Sequence, residues 1–387
     1  MKSSLKTLLF LFIAFAMAGV FTGCSEDDDL ENGGRPMISY IRVTRPASAD
    51  SLITKAGQGS LIAIVGQNLG NVRELWFNDQ PAALTPTYIT NNTIIVRVPS
   101  QIPTEVTNKM RLVFSSGEEL THDFTVDISE PRIDRMVSEY VATGEIATIV
   151  GDFFYEPLKV TFTGGVEGEV VSVKDDNTLE VRVPQGAQPG PVTITSNFGA
   201  TESDFWFRDN RNIIADYEDT DFNGWWHGKD FIIAGDDKIS GINGKFLRIN
   251  KENTGGWFEA WVGDGTIKQK TKNIPEDAFA NPSKYSLKFE INTEVPLVYN
   301  GARIFFGTGG PGDRDKAAYT WEPNIDTKNK WETVSIPFEE IYAANNAGGN
   351  TFTYNPNGYA VSFHFVGPGT AAQFGLDNVR VVPNVNP

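Results

Sequence analysis

The sequence predicts an all-β chain, with two small β-sandwiches followed by a larger one. Three observations carry this. Motifs near residues 64 and 92 recur 85 positions later, strand-length segments alternate apolar and polar residues, and six of the eight tryptophans lie beyond residue 220. Alternation with period two puts one set of side chains on a buried face and the other in water. Only Phe338 to Ala344 reads as a short helix.

At the start of the chain, Lys2 and Lys6 precede an uncharged apolar stretch from Leu8 to Phe21, which ends in small residues before Cys24. The stretch is short for a membrane span of about 20 residues, and its cationic start fits export. Phe21-Thr22-Gly23-Cys24 resembles a bacterial lipobox. That resemblance implies a signal peptide over 1–23, cleavage before Cys24 and acylation there, palmitate included. Cys24 is the only cysteine, so a disulfide framework is excluded. An acidic linker, 24–35, opens with Ser25-Glu26-Asp27-Asp28-Asp29. Such a run is repelled by an anionic membrane surface and stays solvated. It also resembles the export tag that sends Bacteroidetes lipoproteins to the outer face of the outer membrane.

Two repeats follow, over 36–128 and 129–208. Ile64-Val65-Gly66 returns as Ile149-Val150-Gly151, and Asn92 to Pro99 returns as Asn177 to Pro184. Each copy opens with a Pro-x-Ile strand, at Pro36 and at Pro131. These openings are 95 residues apart, which places about ten extra residues of the first copy in the loop Arg45 to Thr54. Ile94, Val96 and Val98 face one way with Ile95 and Arg97 opposite; Leu179, Val181 and Val183 match them, with Glu180 and Arg182 opposite. Turn signals such as Gly57-Gln58-Gly59 and Asp175-Asp176-Asn177 punctuate the strands. Units of this size and pattern read as immunoglobulin-like sandwiches without a disulfide. Their motifs resemble IPT/TIG domains, which in surface lipoproteins usually serve as spacers. Trp76 and Trp206 sit on strand patterns and read as core or interface.

Residues 209–387 differ in composition. Tyr285, Leu287, Phe289 and Ile291 alternate with polar neighbours, as do Val361, Phe363 and Phe365, which suggests a larger sandwich of jelly-roll type. Trp225-Trp226 and Trp257-Phe258-Glu259-Ala260-Trp261 lie between glycines. Loops run on the surface, so aromatic rings there are either plugs or display platforms. Under strand periodicity Trp257 and Trp261 share a face with Glu259. A flat ring suits a pyranose, whose C–H bonds pack on it while hydroxyls reach polar residues at the rim. Asn223, Asp230, Glu259, Arg303 and Asp313 are rim candidates. Trp321 and Tyr319, after a Gly-Pro-Gly-Asp loop, join the set of candidate sugar contacts, whereas Trp331 opens a strand and reads as structural.

Leader, acidic tag, tandem IPT/TIG copies and an aromatic-rich end together resemble a surface glycan-binding protein of a Bacteroidetes polysaccharide-utilisation locus. The chain is most similar to the xyloglucan-binding, B-type members. This resemblance implies non-catalytic capture of a neutral plant β-glycan such as xyloglucan, outward-facing on the outer membrane, beside a glycan transporter complex. It gives Trp226, Trp257 and Trp261 a stacking role, with Trp225 beside them. The alternative is an adhesion or scaffolding protein that binds another protein. Lys plus Arg number 33 against 49 Asp plus Glu, a formal charge of −16, which argues against nucleic acid. A glycosidase needs two carboxylates about 5–10 Å apart, and only Glu259 is suitably placed, so no enzyme is expected. No cofactor is required; jelly-roll modules often hold a structural calcium, for which Glu218 and Asp377 occupy the corresponding strands.

Overall fold

The computed structural model describes residues 34–385 except 46, 48–49, 219–230, 254–256, 264–270, 299–301, 308–317 and 367–369; at 257, 260–263 and 366 it describes the backbone alone. The chain divides into two compact units, one ending at Ile128 and the other beginning at Ser129. Nearly all regular structure is antiparallel sheet. Among the described residues no helix is long and apolar enough to cross a membrane.

The first unit holds strands β1 (Met37–Val43), β2 (Lys55–Gly57), β3 (Leu61–Gln67), β4 (Val72–Phe77), β5 (Gln80–Pro81), β6 (Thr93–Arg97), β7 (Lys109–Phe114), β8 (Glu119–Asp123) and β9 (Thr125–Asp127). One sheet runs β1-β3-β6 and the other β5-β4-β7-β8. Between them lie Ile62, Ile64, Leu75, Phe77, Ile94, Val96 and Leu112, all buried. Just past the loop insertion in this copy, β2 pairs in parallel with β9.

The second unit begins with an equivalent sandwich. Its strands are β10 (Arg132–Met136), β11 (Ile146–Asp152), β12 (Lys159–Phe162), β13 (Val166–Lys174), β14 (Thr178–Arg182), β15 (Val192–Ser196) and β16 (Gly199–Glu202). Here β13 pairs with β14 along one half and with β12 along the other, joining both layers. Leu179, Val181 and Val183 point into the core.

The repeated motifs now have a physical reason. In each copy the first strand bulges opposite the glycine of Ile-Val-Gly. A Cβ on Gly66 would overlap the Met37 carbonyl oxygen, and one on Gly151 would overlap that of Arg132. The Gly66 N–H donates to the Asn92 carbonyl (3.0 Å), and the Gly151 N–H to that of Asn177 (2.9 Å). The two motifs share one offset because they bond to each other.

After a crossing segment come β17 (Ile213–Ala215), β18 (Ile232–Ile233), β19 (Phe246–Lys251), β20 (Trp257–Gly263), β21 (Tyr285–Thr293), β22 (Leu297–Val298) and β23 (Ala302–Gly307). They are followed by β24 (Tyr319–Trp321), β25 (Asn324–Ile325), β26 (Glu332–Pro337), β27 (Ala360–Val366) and β28 (Ala372–Pro383). A six-stranded sheet, β18-β19-β28-β21-β26 with β17 also on β28, faces a four-stranded sheet, β20-β27-β23-β24. Phe289, Phe306, Phe363, Phe365, Phe374 and Leu376 fill the space between them. The expected helix spans Phe338–Asn345, and a second short one, which sequence reading missed, spans Glu276–Ala280. In β21 the polar positions are not wet: Ser286, Lys288, Glu290 and Asn292 are buried along with Leu287, Phe289 and Ile291.

Candidate functional site

A sandwich has two outer faces, and in residues 209–387 one of them is already taken. Lys288, Glu290 and Arg380, on the outer side of the six-stranded sheet, are buried against Glu139 and Tyr140 of the preceding sandwich. The outer face of the four-stranded sheet lies on the opposite side of the sandwich from that joint.

Register assembles that face. Glu259 in β20 lies opposite His364 in β27, which lies opposite Arg303 in β23, which lies opposite Thr320 in β24. One row along, Trp261 is opposite Ser362, and Ser362 is opposite Phe305. Trp257 is opposite Val366. The intervening positions, Phe258, Phe363, Phe365, Ala302 and Ile304, belong to the core. Strand pleat thus separates an apolar inner face from an outer face carrying a carboxyl, an imidazole, a guanidinium and a hydroxyl. Glu259 and Ser362 are fully buried and His364 is 4% exposed, so these groups stand in an environment of low polarity, where each hydrogen bond counts for more than in water.

The expected sugar contacts divide. Trp257, Glu259 and Trp261 alternate along β20, in the positions that strand periodicity requires. Trp225, Trp226, Asn223, Asp230 and Asp313 lie outside the described residues, as do Cys24 and the leader. Trp321 is a correction. It pairs with Ala302 on the inner face, is 8% exposed, and packs edge-on against Phe289 (5.4 Å between centroids). The strand register turns it inward although a loop precedes it. Tyr319 falls on the same inner side, opposite Ile304, partly buried and hydrogen-bonded to the Glu340 carboxylate. His364 was not singled out beforehand. Its role depends on strand neighbours more than 50 residues away, and only the alternation of β27 gave a hint.

Trp331 is structural, as expected: its indole N–H donates to the Ser240 carbonyl (2.9 Å) and its ring meets Phe246 edge-on. Trp76 lies under the guanidinium of Arg111 and donates to Glu74, and Trp206 lies under that of Arg211.

Calcium can be tested against the donor set. Glu218 lies beyond the end of β17 and accepts the Lys245 N–H (2.5 Å). Asp377, fully buried in β28, accepts the N–H of Asn378 through Oδ1, and Oδ2 has no hydrogen-bond partner. Burial, reinforced by the negative charges of Glu290, Glu218 and Asp216, pushes the Asp377 carboxyl up to about 9. Among the described residues no three acidic, histidine or cysteine side chains converge as a metal site requires. Calcium takes six to eight oxygens, so these two carboxylates would need carbonyl oxygens beside them to hold it.

Comparison with known proteins follows the same division of the chain. Residues 207–383 match the family described as surface glycan-binding protein B xyloglucan binding domain. An IPT/TIG domain-containing protein of Bacteroides ovatus is 33% identical over 139 residues, covering 34% of this chain and 28% of that protein. The crystal structure of a surface glycan-binding protein from Prevotella bryantii is 25% identical, with a TM-score of 0.65 over 91% of this chain and 99% of that one. A surface glycan-binding protein B from a complex xyloglucan utilization locus in Bacteroides uniformis is 16% identical over 90% of this chain and all of that one, with a TM-score of 0.47. Residues 207–383 thus resemble the xyloglucan-binding domain of surface glycan-binding protein B, and the chain as a whole is similar in fold to a surface glycan-binding protein that it spans almost end to end.

Proposed function

We propose that the protein captures a neutral plant β-glycan, xyloglucan being the leading candidate, without cleaving it. The ligand lies across β20, β27 and β23. One observation carries the assignment. Trp257, Glu259 and Trp261 alternate along a strand whose cross-strand partners include His364 and then Arg303, on the outer face that the preceding sandwich leaves free. Trp257 and Trp261 stack on sugar rings, with Trp225 and Trp226, from a second glycine-flanked segment of the sequence, as further rings. Glu259, His364 and Arg303 bond the hydroxyls. Arg303 and His364 donate and Glu259 accepts, so a neutral polyol is matched without any net charge requirement.

The reading extends to location. Cys24 carries the lipid in the outer membrane, the acidic linker keeps the chain solvated on the extracellular side, and a glycan transporter complex is the neighbour that receives the polymer. Two or three stacked rings give an affinity between millimolar and micromolar, roughly 4–8 kcal/mol. Many anchored copies on one polymer raise avidity without new contacts.

Calorimetric titration with xyloglucan oligosaccharides tests this. Trp257→Ala and Trp261→Ala should each weaken binding by about tenfold or more, a loss of about 1.4 kcal/mol. Wild-type affinity in both variants would sink the assignment. Retention of a protein partner despite saturating free oligosaccharide would favour the adhesion reading instead.

A further inference from the structure

The polar face of β21 and β28 is buried because the second sandwich reaches into it. Its segment Val137–Tyr140, directly after β10, carries Glu139, which is 3% exposed. Lys288 Nζ donates to Glu139 Oε1 (2.6 Å), and Arg380 Nη2 donates to Glu139 Oε2 (2.7 Å). Arg380, with no exposed surface, also donates to both oxygens of Glu290 (2.7 and 3.1 Å) and to the Asn378 carbonyl (2.6 Å). Thr333 completes the cluster. Its hydroxyl donates to Glu290 (2.8 Å) and accepts the Glu139 N–H (2.7 Å), while its own N–H donates to the Val137 carbonyl (2.8 Å). Tyr140 donates to the Asp209 carbonyl (2.6 Å) beneath the Arg380 guanidinium, and the Arg208 N–H donates to the Glu139 carbonyl (2.6 Å).

Three features set this cluster apart from an ordinary contact between beads on a string. Two acids meet two bases, so the buried charge balances only while both domains are present. The backbone bond at Thr333 falls on β26, the last strand of its sheet, so the second sandwich also covers an edge that would otherwise present unpaired groups. The first sandwich, built on the same repeat, has Thr44 where the second has Glu139. Glu139 has no acidic counterpart in the first copy.

We propose that the second sandwich is not a spacer but the structural other half of the glycan-binding unit. That unit comprises residues 129–387, and Glu139 is the key that fixes its register. This holds whichever glycan is bound. The direction in which the four-stranded face points is then set by the second sandwich, and glycan binding does not bend the joint.

The test uses the full mature chain with Cys24→Ser and spin labels at Gln185→Cys and Asn357→Cys, both exposed positions on either side of the joint. Double electron–electron resonance should give one narrow distance distribution, unchanged by xyloglucan oligosaccharide. Glu139→Ala should broaden it, and in scanning calorimetry should split the shared unfolding of residues 129–387 into separate transitions. The matching substitution in the first copy, Thr44→Ala, should change neither. A broad or ligand-dependent distribution in the parent chain overturns the proposal, and so does a Glu139→Ala chain as narrow as the parent. Should Glu139→Ala not fold, Thr333→Val removes the bridging hydroxyl and is read in the same way, and the parent distribution still decides.

Discussion

Asp377 shows what a single buried group can reveal. Folded, its carboxyl keeps a proton up to about pH 9, because burial and neighbouring negative charges disfavour the ion. Unfolded, it titrates near the ordinary value of about 4. Between those limits the unfolded chain binds fewer protons than the folded one. The contribution of Asp377 is therefore fully present below about pH 4 and is lost progressively as pH rises towards 9. Asp377→Asn should raise stability at pH 7.5 by roughly 1–3 kcal/mol and leave it nearly unchanged at pH 4, as urea titrations at the two pH values would show. Loss of stability in the variant at pH 7.5, together with a fall on adding chelator, would mean that a cation holds the carboxylate ionised.

The tryptophans separate in the same terms. Trp321→Ala removes a core ring and should cost about 3–5 kcal/mol of stability while the folded fraction binds glycan normally. Trp261→Ala should do the reverse. Pleat arithmetic was enough to align Trp257, Glu259 and Trp261 in the sequence. It could not foresee that Trp321 turns inward, since a preceding loop says nothing about register. Nor could it find His364, whose meaning comes from pairing with distant strands, although Arg303 was among the rim candidates.

Among the elements, the repeats were the most legible, and the reason is local. Gly66 and Gly151 are fixed by a bulge that brings a carbonyl oxygen to the place a Cβ would occupy. The requirement is the same in both copies, so the residue is too. Gly151→Ala should destabilise the second unit by about 1–3 kcal/mol, measured by chemical denaturation. Strand β21 was the least legible. Its alternation of Leu287, Phe289 and Ile291 with Lys288 and Glu290 predicts a wet face, and a neighbouring domain covers that face instead. Local pattern reports which residues share a face; it does not report what lies over that face.

For the whole molecule, the architecture narrows the binding surface by exclusion. One outer face of the last sandwich is committed to the joint with the second sandwich, and the other carries Glu259, His364, Arg303 and the β20 tryptophan positions. The chain bears a formal charge of −16 while the ligand we infer is uncharged. Affinity should therefore change by less than about twofold between low and moderate salt, whereas a charged partner would be screened. Hydrogen–deuterium exchange of the full mature chain with and without xyloglucan oligosaccharide tests the central claim most directly. Protection confined to β20, β23 and β27, with the β21 and β28 face and residues 34–128 unchanged, is the result we expect. Protection on the first sandwich, or none on β20 and β27 at saturating ligand, would contradict it.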